Sequence, residues 1–268
     1  MDLDRSLYAR VVGHAVHAIS AASIRLDPFP FFLVSKIFPD DIYRKALAAW
    51  PDADSFQKAS LKHHSNEYGG STRTRMNLCE AALAELPAAR VAIWRTLRAA
   101  VSAPEVKRAV FAKLGVGLVR RFALPVERAV DVEAYPRGVL YSETEGYRIA
   151  PHPDTREKIV TMQFAFPSDE GLKDVGTEFY SRSVNPMHYL REPKGFVIRE
   201  TMPFLPNHAY AFSVLNTVRL KSWHGRCKIA AINGVRNSML HIWYAKADET
   251  HRELDEYQRL LTLHRIAA

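Results

Sequence analysis

The stretch of sequence that decides the fold is YRIAPHPDTREKIVTMQFAF, residues 147–166, in which two strand-like segments flank a polar turn. His152 and Asp154 lie between these segments, at the end of the first and before the second. Residues two apart on an extended chain point to the same side. Both side chains are therefore placed to face the mouth of a β-barrel, where a metal ion would bind. The alternative is a surface-loop histidine, because an HxD triplet arises easily by chance in a chain with 11 histidines.

A second histidine and an arginine follow further along the chain. His224 lies in the strand-like segment Ser-Trp-His-Gly, and Arg236 begins the triplet Arg-Asn-Ser. Two imidazoles and one carboxylate make the facial triad that suits non-haem Fe(II) and leaves open positions for other ligands. An arginine presents a planar fork to a carboxylate, so Arg236 is placed to hold a 2-oxo acid beside that metal. The alternatives are a core histidine bonded to a backbone carbonyl and a surface arginine at a strand start.

The order of these motifs, HxD followed by a histidine and then Arg-x-Ser, resembles the Fe(II)/2-oxoglutarate-dependent oxygenases, particularly their prolyl-hydroxylase-like branch. The resemblance implies that His152, Asp154 and His224 are the catalytic residues and bind Fe(II). It implies that 2-oxoglutarate and O₂ are co-substrates, and that decarboxylation to succinate and CO₂ accompanies hydroxylation of a second substrate. Asp154 stands where related halogenases have a small residue and admit chloride. Hydroxylation is therefore favoured over halogenation, while desaturation and ring formation remain open.

The same resemblance implies a site for 2-oxoglutarate, whose C5 carboxylate must be paired once it is buried. Arg236 and Ser238, one strand step apart, correspond to the Arg-x-Ser pair that binds this carboxylate in the family. The segment AYPRG, residues 134–138, is similar to a Tyr-Pro-Gly-containing segment of the prolyl-hydroxylase-like branch, in which the tyrosine hydroxyl reaches the co-substrate. Tyr135 is therefore the candidate for that contact, the alternative being a buried aromatic residue of a strand.

Helical periodicity and short strands divide the chain into three regions of one predicted oxygenase domain. Residues 1–117 are predicted to be a mainly helical support, and residues 248–268 a closing helix. Residues 118–247 contain short β-branched or aromatic segments between turns, which indicate a sandwich or barrel. The predicted fold class is α+β, with a double-stranded β-helix (jelly-roll or cupin-like) core buttressed by N-terminal helices and a C-terminal helix. The predicted strands cover Glu133–Tyr135, Ile159–Phe166, Glu178–Tyr180, Ala209–Val214, Ser222–His224 and Ser238–Tyr244.

Two polar stretches are predicted to be long loops. Residues 57–77 contain paired histidines, paired glycines and several hydroxyl side chains, and are interpreted as a surface loop, either a lid or a flexible connection. Ser181–Asn207 is interpreted as an insertion between strands near the mouth of the barrel. Its cationic side chains and those of residues 219–228 predict an electropositive mouth, the alternative being a solvated basic loop.

Composition narrows the class of protein further. Of the 268 residues 47% are hydrophobic, which is enough to bury a core and excludes a disordered chain. Cys79 and Cys227 have no paired spacing, which argues against a disulfide scaffold or a zinc ribbon and suits a reducing compartment. The N-terminal stretch lacks the continuous apolar segment of a signal peptide, and no run of 18 apolar residues occurs. The expectation is a soluble cytoplasmic protein without a membrane span.

The predicted function is hydroxylation of a small anionic molecule, such as an acidic sugar or a carboxylated metabolite, by a 2-oxoglutarate-dependent Fe(II) dioxygenase. A second hypothesis keeps the chemistry but takes a prolyl or other amino-acid residue of a protein or peptide as the target. A third is a non-catalytic, ligand-binding jelly roll in which the triad is a coincidence, and a zinc-dependent cupin is a further alternative. A nucleic-acid partner is disfavoured, because the net charge of +8 is not gathered into a long Lys/Arg run.

Overall fold

The computed structural model describes residues 3–59, 71–229 and 234–266, which form helices and antiparallel strands. The helices are α1 (Arg5–Ala21), α2 (Asp40–Ala48), α3 (Glu80–Ala84), α4 (Ala88–Val101), α5 (Pro104–Lys113), α6 (Gly115–Phe122) and α7 (Glu249–Ile266). The strands are β1 (Ile24–Arg25), β2 (Phe31–Ser35), β3 (Gln57–Lys58), β4 (Arg73–Asn77), β5 (Tyr135–Glu143), β6 (Ile149–His152), β7 (Lys158–Ala165), β8 (Glu178–Arg182), β9 (Phe196–Thr201), β10 (His208–Ser213), β11 (His224–Arg226) and β12 (Arg236–Tyr244).

The strands of the described residues form two sheets that share an interior. The major sheet has the order β1-β2-β10-β7-β12-β5-β4-β3, and the minor sheet has the order β6-β11-β8-β9. Phe179 of β8 packs against Phe31 of β2 and Phe212 of β10, with ring centroids 5.0 Å and 5.5 Å apart. Aromatic side chains therefore join the minor sheet to the inner face of the major sheet, as in a jelly roll.

The sequence of β7 shows how the major sheet divides its two faces. Val160, Met162 and Phe164 belong to the large apolar core that includes the helices. Thr161 and Gln163 instead face the interior between the two sheets. Successive residues of a strand point to opposite faces, so one alternating segment supplies both the core and the polar lining of the interior. Because both faces are covered, nearly all of β7 is buried.

Helices cover the outer face of the major sheet. In α1 the buried residues Leu7, Val11, Ala15 and Ile19 recur every four positions and form a single apolar stripe. Asp4 caps this helix, since its Oδ1 accepts a hydrogen bond from the Leu7 N–H at 2.9 Å. The stripe packs against α4 and α5. Within the described ranges, no helix combines the length and the apolar character needed to cross a membrane.

The predicted α+β architecture is confirmed, and each predicted strand overlaps an observed one. The strand that was expected to end at Tyr135 instead begins there and continues to Glu143 as β5. Helix α6 runs past residue 117 to Phe122, so the helical region is slightly longer than predicted. The predicted insertion Ser181–Asn207 contains one further strand, β9, at the edge of the minor sheet.

The prediction of a surface loop over residues 57–77 is wrong at both ends, and Gln57–Lys58 forms β3. Residues 73–77 form β4, which pairs with β5 inside the major sheet. The strand reads as polar because its inward positions, Arg73 and Arg75, face a cavity rather than an apolar core. Together with β1, β2 and β3, it makes the N-terminal region a contributor to the sheet and not only a helical support. Residues 60–70 of the proposed lid lie outside the described residues.

Candidate metal site and adjoining pocket

The minor sheet brings the three predicted metal ligands together. His152 ends β6 and His224 begins β11, and the strand register places the two residues directly opposite each other. Their ring centroids are 4.5 Å apart. Asp154 follows His152 in the connection to β7, and its Oδ2 lies 3.8 Å from Nε2 of His224. Ligand atoms from the three side chains all lie within 4.8 Å of one another, which is the spacing of ligands around one ion.

Backbone carbonyls orient both imidazole rings. Nδ1 of His152 lies 2.9 Å from the carbonyl oxygen of Ala150, and Nδ1 of His224 lies 2.9 Å from that of Ser222. These contacts assign the ring proton to Nδ1, which leaves Nε2 with a free lone pair, as in metal-binding histidines. Burial lowers the pKa of His152 to about 4 and also lowers the pKa of His224. Both rings are therefore neutral at pH 7, the form that binds a metal.

Asp154 is buried, and both of its oxygens have partners. Oδ2 accepts a hydrogen bond from the Thr161 hydroxyl at 2.7 Å, and Oδ1 is paired with the Lys158 ammonium. Burial by itself raises the pKa of Asp154, but His224, Lys158 and these hydrogen bonds outweigh it and lower the pKa to about 2. The carboxylate is therefore ionised and held in one orientation.

This donor set fits a divalent transition metal. Two neutral imidazoles and one ionised carboxylate supply three ligands, the number that a facial triad uses. Cys227 does not join them, because its thiol lies 3.9 Å from the Tyr180 hydroxyl and borders a different cavity. The arrangement is that of a catalytic site with free coordination positions and differs from a closed structural zinc site.

A cavity of about 470 Å³ adjoins the triad between the two sheets. Its lining is rich in charge, with more cations than anions. The cationic residues that border it are Arg73, Arg75, Arg137, Lys158, Arg226 and Arg236, and the acidic residues are Glu143, Asp154 and Asp248. An excess of cations around one cavity attracts anions.

The predicted carboxylate-binding residues lie on the cavity side of β12. Arg236 borders the cavity, is almost completely buried, and its Nε donates to the carbonyl oxygen of Val175 at 2.8 Å. Ser238 is buried one strand step further along, and its hydroxyl accepts a hydrogen bond from Nε2 of Gln163 at 3.1 Å. Gln163 borders the cavity and also lies 3.4 Å from Nη2 of Arg236. Ser238 therefore supports the site through Gln163 and does not itself border the cavity.

The prediction for Tyr135 is wrong. Its hydroxyl donates to Glu133, its ring packs against His251 at 4.6 Å, and it does not border the cavity. Tyr135 lies on the inward side of β5, one strand step before Arg137, the first residue of this strand that borders the cavity. Tyr141, six residues later on the same side, does border the cavity. At about 3.3 Å per residue the two positions are roughly 20 Å apart.

The cations of the cavity are mostly different from the predicted ones. Of the basic residues in 181–207 and 219–228, only Arg226 borders the cavity. Arg182 and Lys221 line a separate surface depression instead. Sequence reasoning missed Arg73 and Arg75, although basic residues at alternate positions of a strand are the pattern that a charged inner face would produce.

Comparisons with known proteins support the fold. No family model matches the chain, and no curated protein matches it significantly. Among solved structures, the chain is similar to a prolyl-4-hydroxylase from Pseudomonas putida, with a TM-score of 0.50 and 10% identity over 88% of this chain and 99% of that one. It is also similar to an oxidoreductase of the 2OG-Fe(II) oxygenase family from Burkholderia pseudomallei, with a TM-score of 0.45 and 10% identity over 94% and 97% of the two chains.

The first of these similarities has a direct structural consequence. It extends over nearly the whole of the prolyl-4-hydroxylase chain and most of this one. The chain therefore has the double-stranded β-helix fold of the 2-oxoglutarate oxygenases, as the resemblance in its motifs implied.

Proposed function

We propose that this protein is a non-haem Fe(II)- and 2-oxoglutarate-dependent dioxygenase that hydroxylates a small anionic molecule. The observation that carries the proposal is one cavity bordered by both a facial triad and a buried arginine. On β7, Thr161 holds the carboxylate of the triad, and Gln163, one strand step further, contacts Arg236. A strand step is about 7 Å, which is comparable with the length of a five-carbon dicarboxylate. This spacing supports a cavity with a metal end at the triad and a carboxylate end at Arg236.

At the metal end, the protein supplies ligands and orientation. His152 and His224 donate Nε2, and Asp154 donates a carboxylate oxygen, with each group already held by a hydrogen bond to another part of the chain. Bound iron with 2-oxoglutarate and O₂ supplies the oxidant for hydroxylation of a C–H bond.

At the carboxylate end, the protein supplies a charge partner. A carboxylate that leaves water needs a cation and hydrogen-bond donors, because an unpaired buried anion is very costly. Arg236 provides a planar guanidinium that is held in place by Val175 and paired with Glu143. Gln163 and Thr177 surround it with polar atoms. Arginine is suited to this role because its fork matches the geometry of a carboxylate.

The charge of the cavity supports an anionic primary substrate. Most cations of the lining already have ion-pair partners, namely Asp248 for Arg137, Asp154 for Lys158 and Glu178 for Arg226. The charge available to a further anion therefore rests on Arg75. Arg75 is exposed, borders the cavity, and has no ion-pair partner among the described residues. It therefore offers a guanidinium to an acidic group of the substrate. Acidic sugars and carboxylated metabolites have the matching chemistry.

The first test is an anaerobic titration of the metal-free protein with Fe(II) and 2-oxoglutarate, in which the weak visible charge-transfer band of the chelate is measured. The band is expected in the parent protein and absent in His224→Ala. His208→Ala is the matched control, since Nδ1 of His208 also contacts a carbonyl two residues earlier but lies outside the triad. A folded parent protein without the band would contradict the proposal and favour a non-catalytic binding domain.

The second test addresses the substrate. Succinate formation is measured with a panel of paired compounds that differ only in a carboxylate, sulfate or phosphate group. Acidic members are expected to stimulate turnover more than their neutral partners. A panel in which the neutral compounds are uniformly better would refute the anionic substrate while leaving the oxygenase chemistry intact.

A further inference from the structure

Three charged residues form a row across the carboxylate end of the cavity. Glu143 of β5 lies directly opposite Arg236 of β12 on one side and directly opposite Arg73 of β4 on the other. Its carboxylate is fully buried, and both arginines are largely buried. Side chains at directly opposed positions of neighbouring strands contact one another, so the three charges interact as one group.

The two arginines of this row are held in different ways. Arg236 is fixed by Val175 and by a hydrogen bond from Nη1 to Glu143, and its Cζ lies 4.4 Å from the centre of the Phe204 ring. Arg73 is stacked on Tyr141, with Cζ 3.7 Å from the ring centre. Its Nε lies 2.9 Å from Oε1 of Glu143, an ion pair without a directed hydrogen bond.

Arg73 therefore keeps donors for a ligand. Among the described residues, its guanidinium donates no directed hydrogen bond, although it borders the cavity. Burial lowers the pKa of Arg73, but the acidic groups beside it, Glu143 among them, outweigh burial and raise the pKa, so the guanidinium stays charged. Burial raises the pKa of Tyr147, so its hydroxyl stays neutral and does not alter the charge of the row.

The charge balance of the row decides what it can bind. Glu143 neutralises Arg236, and a ligand carboxylate placed on that neutral pair would leave one uncompensated buried anion. With Arg73 included, the row carries a charge of +1 before binding and is neutral once a single carboxylate is bound. Arg236 by itself is therefore insufficient, and the second arginine restores the charge that Glu143 removes.

Given the proposed function, on which this inference rests, we propose that Arg73 binds the C5 carboxylate of 2-oxoglutarate together with Arg236. Glu143 is the positioning residue of this site. It holds the two guanidinium groups side by side and limits the site to one carboxylate.

The test measures binding to Fe(II)-loaded protein by anaerobic calorimetry, with no turnover. The two probes are 2-oxoglutarate and 2-oxopentanoate, which has a methyl group in place of the C5 carboxylate. Arg73→Gln is expected to weaken the binding of 2-oxoglutarate by about 10- to 100-fold, which is the range of a hydrogen bond to a charged group. The affinity for 2-oxopentanoate should not change. The double variant Arg73→Gln/Glu143→Gln is expected to regain most of the lost affinity, because Arg236 then carries an unbalanced positive charge.

Two further variants keep the test decisive. Arg137→Gln is the matched control, since Arg137 borders the same cavity, pairs with Asp248 and stacks on Tyr244, but lies outside the row. It should leave the ratio of the two affinities unchanged. Arg73→Lys, which keeps the charge, should retain more affinity than Arg73→Gln and serves where the glutamine variant does not fold.

Three results would overturn the proposal, and they are distinguishable. If the parent protein binds neither probe, the proposed function itself is wrong. If it binds both, but Arg73→Gln keeps full affinity for 2-oxoglutarate, Arg73 has no part in the site. If Arg73→Gln binds weakly and the double variant binds no better, the charge balance with Glu143 is wrong.

Discussion

His241 is a buried titratable group whose replacement should change how stability depends on pH. It lies on the outward side of β12, is fully buried, and packs edge-on against Trp243 with ring centroids 4.5 Å apart. Neither ring nitrogen has a hydrogen-bond partner among the described residues. Burial, and next the charge of Arg98, lower the pKa of His241 to about 3. We predict that His241→Leu makes the free energy of unfolding decrease less as the pH is lowered.

The magnitude follows from the two pKa values. In the unfolded chain a histidine has a pKa near 6.5, so below that pH the unfolded state binds a proton that the folded state does not bind. The free energy of unfolding therefore falls as the pH decreases from about 6.5 toward 3. At pH 5, which is about 1.5 units below the pKa in the unfolded chain, the free energy of unfolding is lower by about 2 kcal/mol. At pH 7.5, replacing an unpaired buried imidazole with an apolar side chain should add about 1 kcal/mol.

The assay is urea unfolding of the metal-free protein at pH 7.5, 6.5, 5.5 and 5.0. The parent protein should lose about 2 kcal/mol more than His241→Leu across this range. His152 and His224 have lowered pKa values too, but they contribute equally to both proteins and cancel in the difference. His17 is exposed and provides the control variant His17→Gln. Its free energy of unfolding should depend on pH in the same way as that of the parent protein. Parallel pH curves for the parent and His241→Leu would refute the reasoning.

Three other changes test the site. His152→Ala removes a ligand and should abolish 2-oxoglutarate turnover in a succinate assay with little change in thermal midpoint; normal turnover would exclude His152 from the triad. Arg236→Ala should raise the 2-oxoglutarate requirement by about 10-fold or more with Fe(II) still bound, and an unchanged requirement would move the carboxylate site elsewhere. Gly225→Ala places a Cβ 2.5 Å from the carbonyl oxygen of Ile149. Calorimetry should show weaker Fe(II) binding, because His224 is adjacent to this position. An unchanged Fe(II) affinity would mean that the two strands separate without cost.

Local pattern was sufficient to find the candidate metal ligands. His152 and Asp154 are two residues apart on extended chain, so strand geometry alone directs both to one side. His224 could be added because its segment reads as a strand and the Arg-x-Ser triplet follows it in the motif order of the resembled family. The structure then pairs that strand with the one that ends at His152. Each step depended on properties that neighbouring residues express by themselves.

Tyr135 shows where local pattern is not enough. Alternation along β5 correctly predicts that odd-numbered residues share one face, but it does not say where along the strand the cavity lies. That position depends on which residues of β4 and β12 are paired with β5. The pairing involves residues that are distant in sequence, so Tyr141 and not Tyr135 reaches the cavity.

The sequence by itself determined the class of fold, the helical regions, several of the strands and the residue types of a facial triad, because hydrophobic periodicity and strand alternation are local. Only the tertiary structure decided which charges meet. Arg73 lies in a stretch that reads as a polar loop, and Glu143 has no motif around it. Strand register places both beside Arg236. The charge of a binding site is a sum over neighbours in space, and it therefore follows from the pairing of distant strands.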